Sequence, residues 1–417
     1  MLDLRLIRED PEGVKAALAR RGAGREIDEI LELDARRRDA QSRADDLRAE
    51  QKREGKAVAK LQGEEKQALL ARLKELSAAV DAAQTEEAES AERLQQLLLV
   101  VPNIPHESMP DGQTEDDNEI LRVVGEPPTF DFEPKDHLDL GEALGVIDME
   151  AGARTSGSRF TYLKGSAAKL WWAVARYAVG VCEEAGFTFV LPPVLVRRDA
   201  MEGTGFFPAG ADQIYTLPDD ELYLVGTAEV PLGAAHMGEI IEPDELPIRY
   251  VGHSACFRRE AGAAGKDTRG IFRLHQFEKV EMFAFVRPED SWAEHDKLVA
   301  IEEKILQDLE LPYRAVALCG GDLGAPSAKT IDLEVWFPGQ QRYRETTSCS
   351  NTTDYQARRL NTRMRTEGGT EIVHTLNGTA ATSSRTVAAI MENHQTADGR
   401  IVVPKVLRDM LGTDALG

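Results

Sequence analysis

The residues best equipped for chemistry lie between Phe257 and Glu281, where Phe257-Arg258-Arg259-Glu260 precedes a Gly-rich basic loop and then Arg273, Phe277 and Glu281 spaced four apart. Such a run can hold a bent nucleoside triphosphate. Guanidinium groups offer bidentate donors to phosphate or carboxylate oxygens, an aromatic ring offers a flat face to a base, and carboxylates accept from amino groups. The two ends read as adjacent antiparallel strands joined by the loop 261–270, and alternation along the second strand turns Arg273, Phe277 and Glu281 to one face. Far downstream, Arg385 opens an apolar helical stretch and can cover the other face of the same base. Singly, each residue suits a surface hairpin stitched by ion pairs; the order of the set points to a nucleotide.

The elements around this run predict an α+β fold. Residues 167–185 read as a helix and 187–190 as a strand ended by Pro192-Pro193. Strand candidates recur at 222–225, 248–252, 271–285, 313–318, 331–337 and 372–376, with helices near 289–310, 351–364 and 384–395. Strands in succession with few helical crossovers favour a mixed, mostly antiparallel sheet flanked by helices. Neither G-x-G-x-x-G nor G-x-x-x-x-G-K-[ST] occurs, which excludes the glycine fingerprints of doubly wound nucleotide folds.

Ahead of this body, residues 27–100 are rich in Ala, Leu, Glu, Arg, Lys and Gln, lack Pro, and carry Gly only at 55 and 63. Apolar residues at helical spacing predict two long helices joined near 55–65 that bury their stripes on one another as an antiparallel coiled-coil hairpin. Lys52, Arg53, Lys56, Lys60 and Lys66 cluster around the turn of this acid-rich arm, a pattern that fits a phosphate backbone or a solvated turn. The arm ends at Val101-Pro102, and the Pro-containing, acidic stretch 103–128 reads as a linker. The expected division is 1–108, with the arm at about 27–100, and 109–417.

The formal charge of -22 argues against gripping nucleic acid by bulk electrostatics, so any such contact must be local. Cysteines at 182, 256, 319 and 349 have neither C-x-x-C spacing nor paired His, so no zinc site or disulfide framework is expected. The N-terminus lacks a basic flank followed by an apolar core, and no apolar run nears the roughly 20 residues that span a bilayer. A soluble cytoplasmic protein that does not engage membranes is expected.

The run 257–281 resembles motif 2 of the class II aminoacyl-tRNA synthetases. Residues 186–195, with Pro193 at the family's proline position, resemble motif 1, which builds the dimer interface in that family; residues 377–393 resemble motif 3. The N-terminal hairpin, Gly226-Thr227-Ala228-Glu229, His275-Gln276-Phe277 and Arg344-Glu345-Thr346-Thr347-Ser348-Cys349-Ser350-Asn351 together resemble the seryl branch of the class, in its bacterial type.

The resemblance implies a homodimer that activates L-serine with ATP and Mg²⁺ and charges tRNA(Ser), and tRNA(Sec) where present. By that likeness Arg258 clamps the serine carboxylate and the α-phosphate, Glu260 accepts from the adenine amino group, Phe277 and Arg385 sandwich the ring, and Arg273 neutralises the terminal phosphates. Glu345 and Ser348 hold Mg²⁺, with backbone contacts to ATP from Arg259, Leu274, Thr346 and Thr347. Thr227, Ala228, Glu229, Arg258, Glu281 and Thr379 form the serine pocket; Arg258, Glu281 and Arg385 carry the catalytic roles; Lys266 and Arg269 guide the tRNA end. His275, His374 and His394 read as structural groups. One departure is Thr379-Ala380-Ala381-Thr382-Ser383-Ser384-Arg385, where many members read Asn-Gly-Ser-Gly with a further Gly before the arginine. It leaves open a specialised paralogue; a regulator on a dead synthetase scaffold would be expected to lose these ATP residues.

Overall fold

The computed structural model describes residues 1–262, 267 and 269–417. Lys266 therefore lies outside the described residues. The chain divides into two compact units, one of Leu2–Ala19 and Ala23–Pro102, the other of Met1, Arg20–Gly22 and Asn103–Gly417.

The helical unit contains α1 (Leu4–Glu9), α2 (Pro11–Ala19), α3 (Ile27–Gly55) and α4 (Gly63–Val100). Residues of α3 meet residues of α4 in reverse order: Arg93 pairs with Glu29 at 2.9 Å, Glu86 with Arg43 at 2.6 Å, and Arg72 with Glu50 at 2.5 Å. This is the expected antiparallel pairing, and the joint falls at Gly55 and Gly63. The stripe is thin, with Ile27, Ile30, Ala40 and Ala44 buried against Leu76, Val80, Leu94 and Leu98, as two helices without a third layer require. The side chain of Asp34, 1% exposed, accepts a bidentate pair from Arg8 at 2.7 Å.

The second unit is built on an eight-stranded sheet. In chain order the strands are β1 (Glu119–Val124), β2 (Thr188–Val190), β3 (Ile248–Phe257), β4 (Gln276–Val286), β5 (Tyr313–Ala317), β6 (Lys329–Phe337), β7 (Arg342–Thr353) and β8 (His374–Thr382). Their spatial order is β1-β5-β6-β7-β8-β4-β3-β2, antiparallel throughout except for β2 on β3. Helices α5 (Gly165–Glu184), α6 (Ser291–Asp308) and α7 (Arg385–Asn393) pack on the sheet.

Strand β4 shows how the sheet separates core from chemistry. Val280, Met282, Ala284 and Val286 enter the main core with the helices, whereas Phe283 and Phe285 enter a second core with Leu232, Ala357 and Val373. The same alternate face, followed back toward the start of the strand, carries Phe277, Lys279 and Glu281.

Four sequence expectations change. The linker 103–128 contains β1, whose burial is slight, so its apolar residues carry no core signal. Strand 271–285 begins only at Gln276, leaving Arg273 ahead of it. Helix 351–364 contracts to Tyr355–Leu360, because Asn361 turns into the left-handed region at φ 54°. Residues 342–353 form a strand that hydropathy does not disclose, since Arg-Tyr-Arg-Glu-Thr-Thr-Ser-Cys-Ser-Asn-Thr-Thr is polar on both faces.

Candidate active site

Two irregularities in the sheet shape the site. Opposite β6, strand β7 pairs Thr347 with Leu333 but Glu345 with Glu334, so Thr346 is an extra residue. Such a bulge reverses the facing of everything beyond it, which explains how Glu345 and Ser348, three apart, line one cleft. Opposite β4, strand β8 pairs Ala381 with Val280 but Thr379 with Glu281, making Ala380 the extra residue. Thr379 and Thr382 then line a common wall. Thr382 Oγ1 accepts the backbone N–H of Arg385 at 3.1 Å and so sets that arginine in the first turn of α7.

Thr227, Glu229, Arg258, Glu281, Glu345, Ser348 and Thr379 come together in an acidic cleft of about 330 Å³. Glu229 Oε1 accepts from Gln356 Nε2 at 2.7 Å and from Asn377 Nδ2 at 3.2 Å, and Thr227 Oγ1 accepts the backbone N–H of Glu229 at 3.1 Å. Thr379 Oγ1 donates to Glu281 Oε2 at 3.2 Å, and the same oxygen pairs with Lys279 Nζ at 2.5 Å. Burial, and after it the charge on Glu281, push the Glu229 carboxyl up to about 7. The cleft can therefore take an ammonium group and a hydroxyl, and it is walled for a small molecule.

Arg258, Glu260, Arg273, Leu274 and Phe277 line a second, narrow cleft of about 90 Å³ with Glu345, Thr346, Thr379 and Arg385. Arg258, Lys279, Glu345 and Thr379 are common to both clefts. Arg273 pairs with Glu260, and Arg385 pairs with Glu345 at 3.0 Å while also donating to its backbone carbonyl at 2.9 Å. Burial works against the Glu345 charge, but Arg385, Arg258 and Lys279 outweigh it and hold the carboxyl below its ordinary range. Arg258 is aimed by its backbone, which donates to His275 O at 2.9 Å and accepts from His275 Nδ1 at 2.9 Å. Its guanidinium lies over Phe277 at 5.3 Å and that of Arg385 lies over Phe272 at 4.6 Å, and Phe277 and Arg385, the two expected faces of the sandwich, line the same cleft.

Other expected residues fall elsewhere. Ala228 is fully buried in the second core and Thr347 is 1% exposed, and neither lines either cleft. Arg259 is exposed and its N–H donates to Gln213 O at 2.8 Å. Arg269 is held by Asp136 at 2.8 Å and by Asp139, so its guanidinium is engaged at the short helix His137–Ala143. Lys52, Arg53, Lys56, Lys60 and Lys66 are all exposed, whereas the nearby acids Glu50 and Glu54 are taken up by Arg72.

Sequence reasoning missed Lys279 and Asn377 in the acidic cleft, the buried Gln356 that donates to Glu229, and Phe272 in the other cleft. Lys279 had a signal, since it stands between Phe277 and Glu281 on the face already singled out; Gln356, on a separate short helix, had none.

The oxygen donors fit a hard cation. Glu345 and Ser348 share the cleft, Asp332 stands opposite Ser348 in β6, and Asp332 Oδ1 is buried without a hydrogen bond. Burial and the neighbouring Glu345 hold the Asp332 carboxyl well above its ordinary range.

Comparison with known proteins agrees with this geometry. Residues 1–105 match the seryl-tRNA synthetase N-terminal domain, and residues 215–394 match the tRNA synthetase class II core domain (G, H, P, S and T). The serine–tRNA ligase of Acidothermus cellulolyticus is 50% identical over 417 residues, covering 100% of this chain and 99% of the relative. That of Nocardia farcinica is 50% identical over 418 residues, with coverage of 100% and 99%. The solved structure of seryl-tRNA synthetase from Pyrococcus horikoshii complexed with ATP matches at a TM-score of 0.95 and 42% identity, covering 100% of this chain and 99% of that one. With both family domains in order and half of all positions shared over the full length, the chain belongs to the seryl-tRNA synthetase family of class II aminoacyl-tRNA synthetases.

Proposed function

We propose that this chain activates L-serine with ATP and transfers the seryl group to the 3′ end of tRNA(Ser), and of tRNA(Sec) where that species exists. The observation that carries the reading is the pair of adjoining clefts sharing Arg258, Lys279, Glu345 and Thr379, one walled by carboxylates and hydroxyls and one by arginines and aromatic rings.

In the first step the serine carboxylate attacks the α-phosphorus of ATP, and the bond to diphosphate breaks. The two anions repel, so the main task is to hold them in line and neutralise charge. Arg258, at the junction, takes the carboxylate and the α-phosphate. Glu281 and Thr227 take the ammonium, Thr379 and Glu281 the hydroxyl, and Glu229 supports the set. ATP phosphates compete with Glu260 for Arg273, freeing Glu260 for the adenine amino group. Phe277 and Arg385 bracket the base. Glu345 and Ser348 would hold Mg²⁺, which would lower the phosphate charge. In the second step a terminal ribose hydroxyl attacks the acyl carbon and AMP leaves; the exposed basic tip of the α3–α4 hairpin meets the tRNA backbone.

The same reading makes the enzyme a cytoplasmic homodimer joined at the motif 1 face. Trp172, Phe189 and Leu191 are 63%, 42% and 71% exposed there, beside a largely apolar cleft of about 660 Å³ that also takes in His253 and Met410. No helix among the described residues is long and apolar enough to cross a membrane. Aminoacylation of tRNA(Ser) by the purified chain with serine, threonine and cysteine compared side by side tests the function; charging with serine far above the other two is expected, and equal charging would reject it.

A further inference from the structure

One wall of the acidic cleft comes from none of the three motifs. Gly324, Pro326 and Ser327 belong to the loop between β5 and β6, and its run Leu323-Gly324-Ala325-Pro326-Ser327 has almost no side-chain means of holding itself. All five of its carbonyls accept from two residues distant in sequence. The guanidinium of Arg21 donates to Leu323 O at 2.7 Å, Gly324 O at 2.8 Å and Ser327 O at 3.0 Å. Asn103 donates its backbone N–H to Ala325 O at 2.8 Å and its Nδ2 to Pro326 O at 2.9 Å.

The two anchors are tied together and to the sheet. Arg21 donates a fourth bond to Asn103 O at 2.8 Å, and Asn103 Nδ2 also reaches Thr352 O in β7 at 2.9 Å. Asn103 is 4% exposed. Burial pushes the Arg21 guanidinium down to about 10, so it is still a cation at neutral pH. The tripeptide Arg20–Gly22 belongs to the catalytic unit although helical-unit residues flank it on both sides. A planar fork of N–H groups in fixed geometry suits several carbonyls at once, which an ammonium group does not reproduce.

We infer that Arg21 and Asn103 are positioning residues for serine recognition: together they hold the wall Leu323–Ser327 where the acidic cleft admits serine and turns away a larger amino acid. The inference rests on reading that cleft as the serine pocket. A wall fixed by its backbone has no side chain that gives way, so discrimination depends on how firmly the carbonyls are held. Loosening it changes the amino acid side of the reaction and leaves the ATP cleft, which this loop does not line, as it was.

The test uses the full-length chain with R21A, R21K and N103A, and pyrophosphate exchange with serine and with threonine. Serine-dependent exchange by the unaltered chain checks the pocket reading itself. For R21A we expect the serine KM to rise about tenfold or more and the preference for serine over threonine to fall by a similar factor, with the ATP KM within about twofold. R21K should fall between R21A and the unaltered chain, and thermal melting separates folded from unfolded material. If R21A does not fold, R21K and N103A are judged by the same criteria. Unchanged serine KM and unchanged serine preference would overturn the inference, as would serine and ATP KM rising together.

Discussion

Lys279 is the cation paired with Glu281 in the acidic cleft. Its ammonium lies 2.5 Å from Glu281 Oε2, with side chains 8% and 1% exposed, and Glu229 stands close enough for Glu281 to raise its proton affinity. Lys279→Met would leave two withdrawn carboxylates facing each other, and the site would take up a proton to relieve them. Exchange kinetics should show the serine KM raised by about a hundredfold; a change under about threefold would mean the pair contributes little to binding. Glu229 gives a pH dependence. With the carboxyl near 7, ionisation on going from about pH 6 to 8 favours the substrate ammonium, so the serine KM should fall over that range and Glu229→Gln should flatten the profile. Linkage gives the opposite sign for stability. The folded chain binds this proton more tightly than the unfolded one, so the contribution is complete below the ordinary glutamate range and is lost as pH rises through about 7. At this scale the sequence was eloquent where residue type is unusual, as at Arg258 and Glu281, and silent at Gln356, whose place depends on a tertiary contact to Glu229.

The elements that position these residues were legible where burial drives them. Composition and apolar spacing placed the two long helices, and α5 ends as its sequence suggests, with Gly186 at φ 92° and Phe187 N donating back to Cys182 O at 3.0 Å. Strand β7 escaped because its residues are polar, and hydropathy has no term for the ladder hydrogen bonds that hold it between β6 and β8. The departure before Arg385 now has a physical account. Ala380 and Ala381 are buried in the main core, the bulge at Ala380 returns Thr382 to the cleft, and Thr382 caps α7. No glycine is needed for that geometry. For the α3–α4 hairpin, reversing Lys52, Arg53, Lys56, Lys60 and Lys66 to Glu should lower tRNA charging by about a hundredfold or more and flatten its dependence on salt, while exchange without tRNA is unchanged. Loss of both activities would contradict a role confined to tRNA.

For the whole molecule, a net charge of -22 and a basic cluster on one hairpin tip are two sides of one arrangement. Under the proposed function, the acidic balance of the chain disfavours nucleic acid and leaves the exposed basic tip as the place for the tRNA contact. Fold class, family and the sharing of Arg258 between two substrates were readable from motif order; that Glu345 and Thr379 also line both clefts was not, because their facing depends on two bulges that no sequence pattern announces. At the motif 1 face, where the proposed function puts a dimer interface, Trp172→Glu with Leu191→Glu should sediment as a monomer where the unaltered chain sediments as a dimer, and a variant that still dimerises would place the interface elsewhere. The central claim is that one chain brings serine and ATP together at Arg258. Its most direct test is amino-acid-dependent exchange of pyrophosphate into ATP by the purified chain: exchange with serine, lost in Arg258→Ala, is the predicted result, and exchange with another amino acid but none with serine would contradict the account.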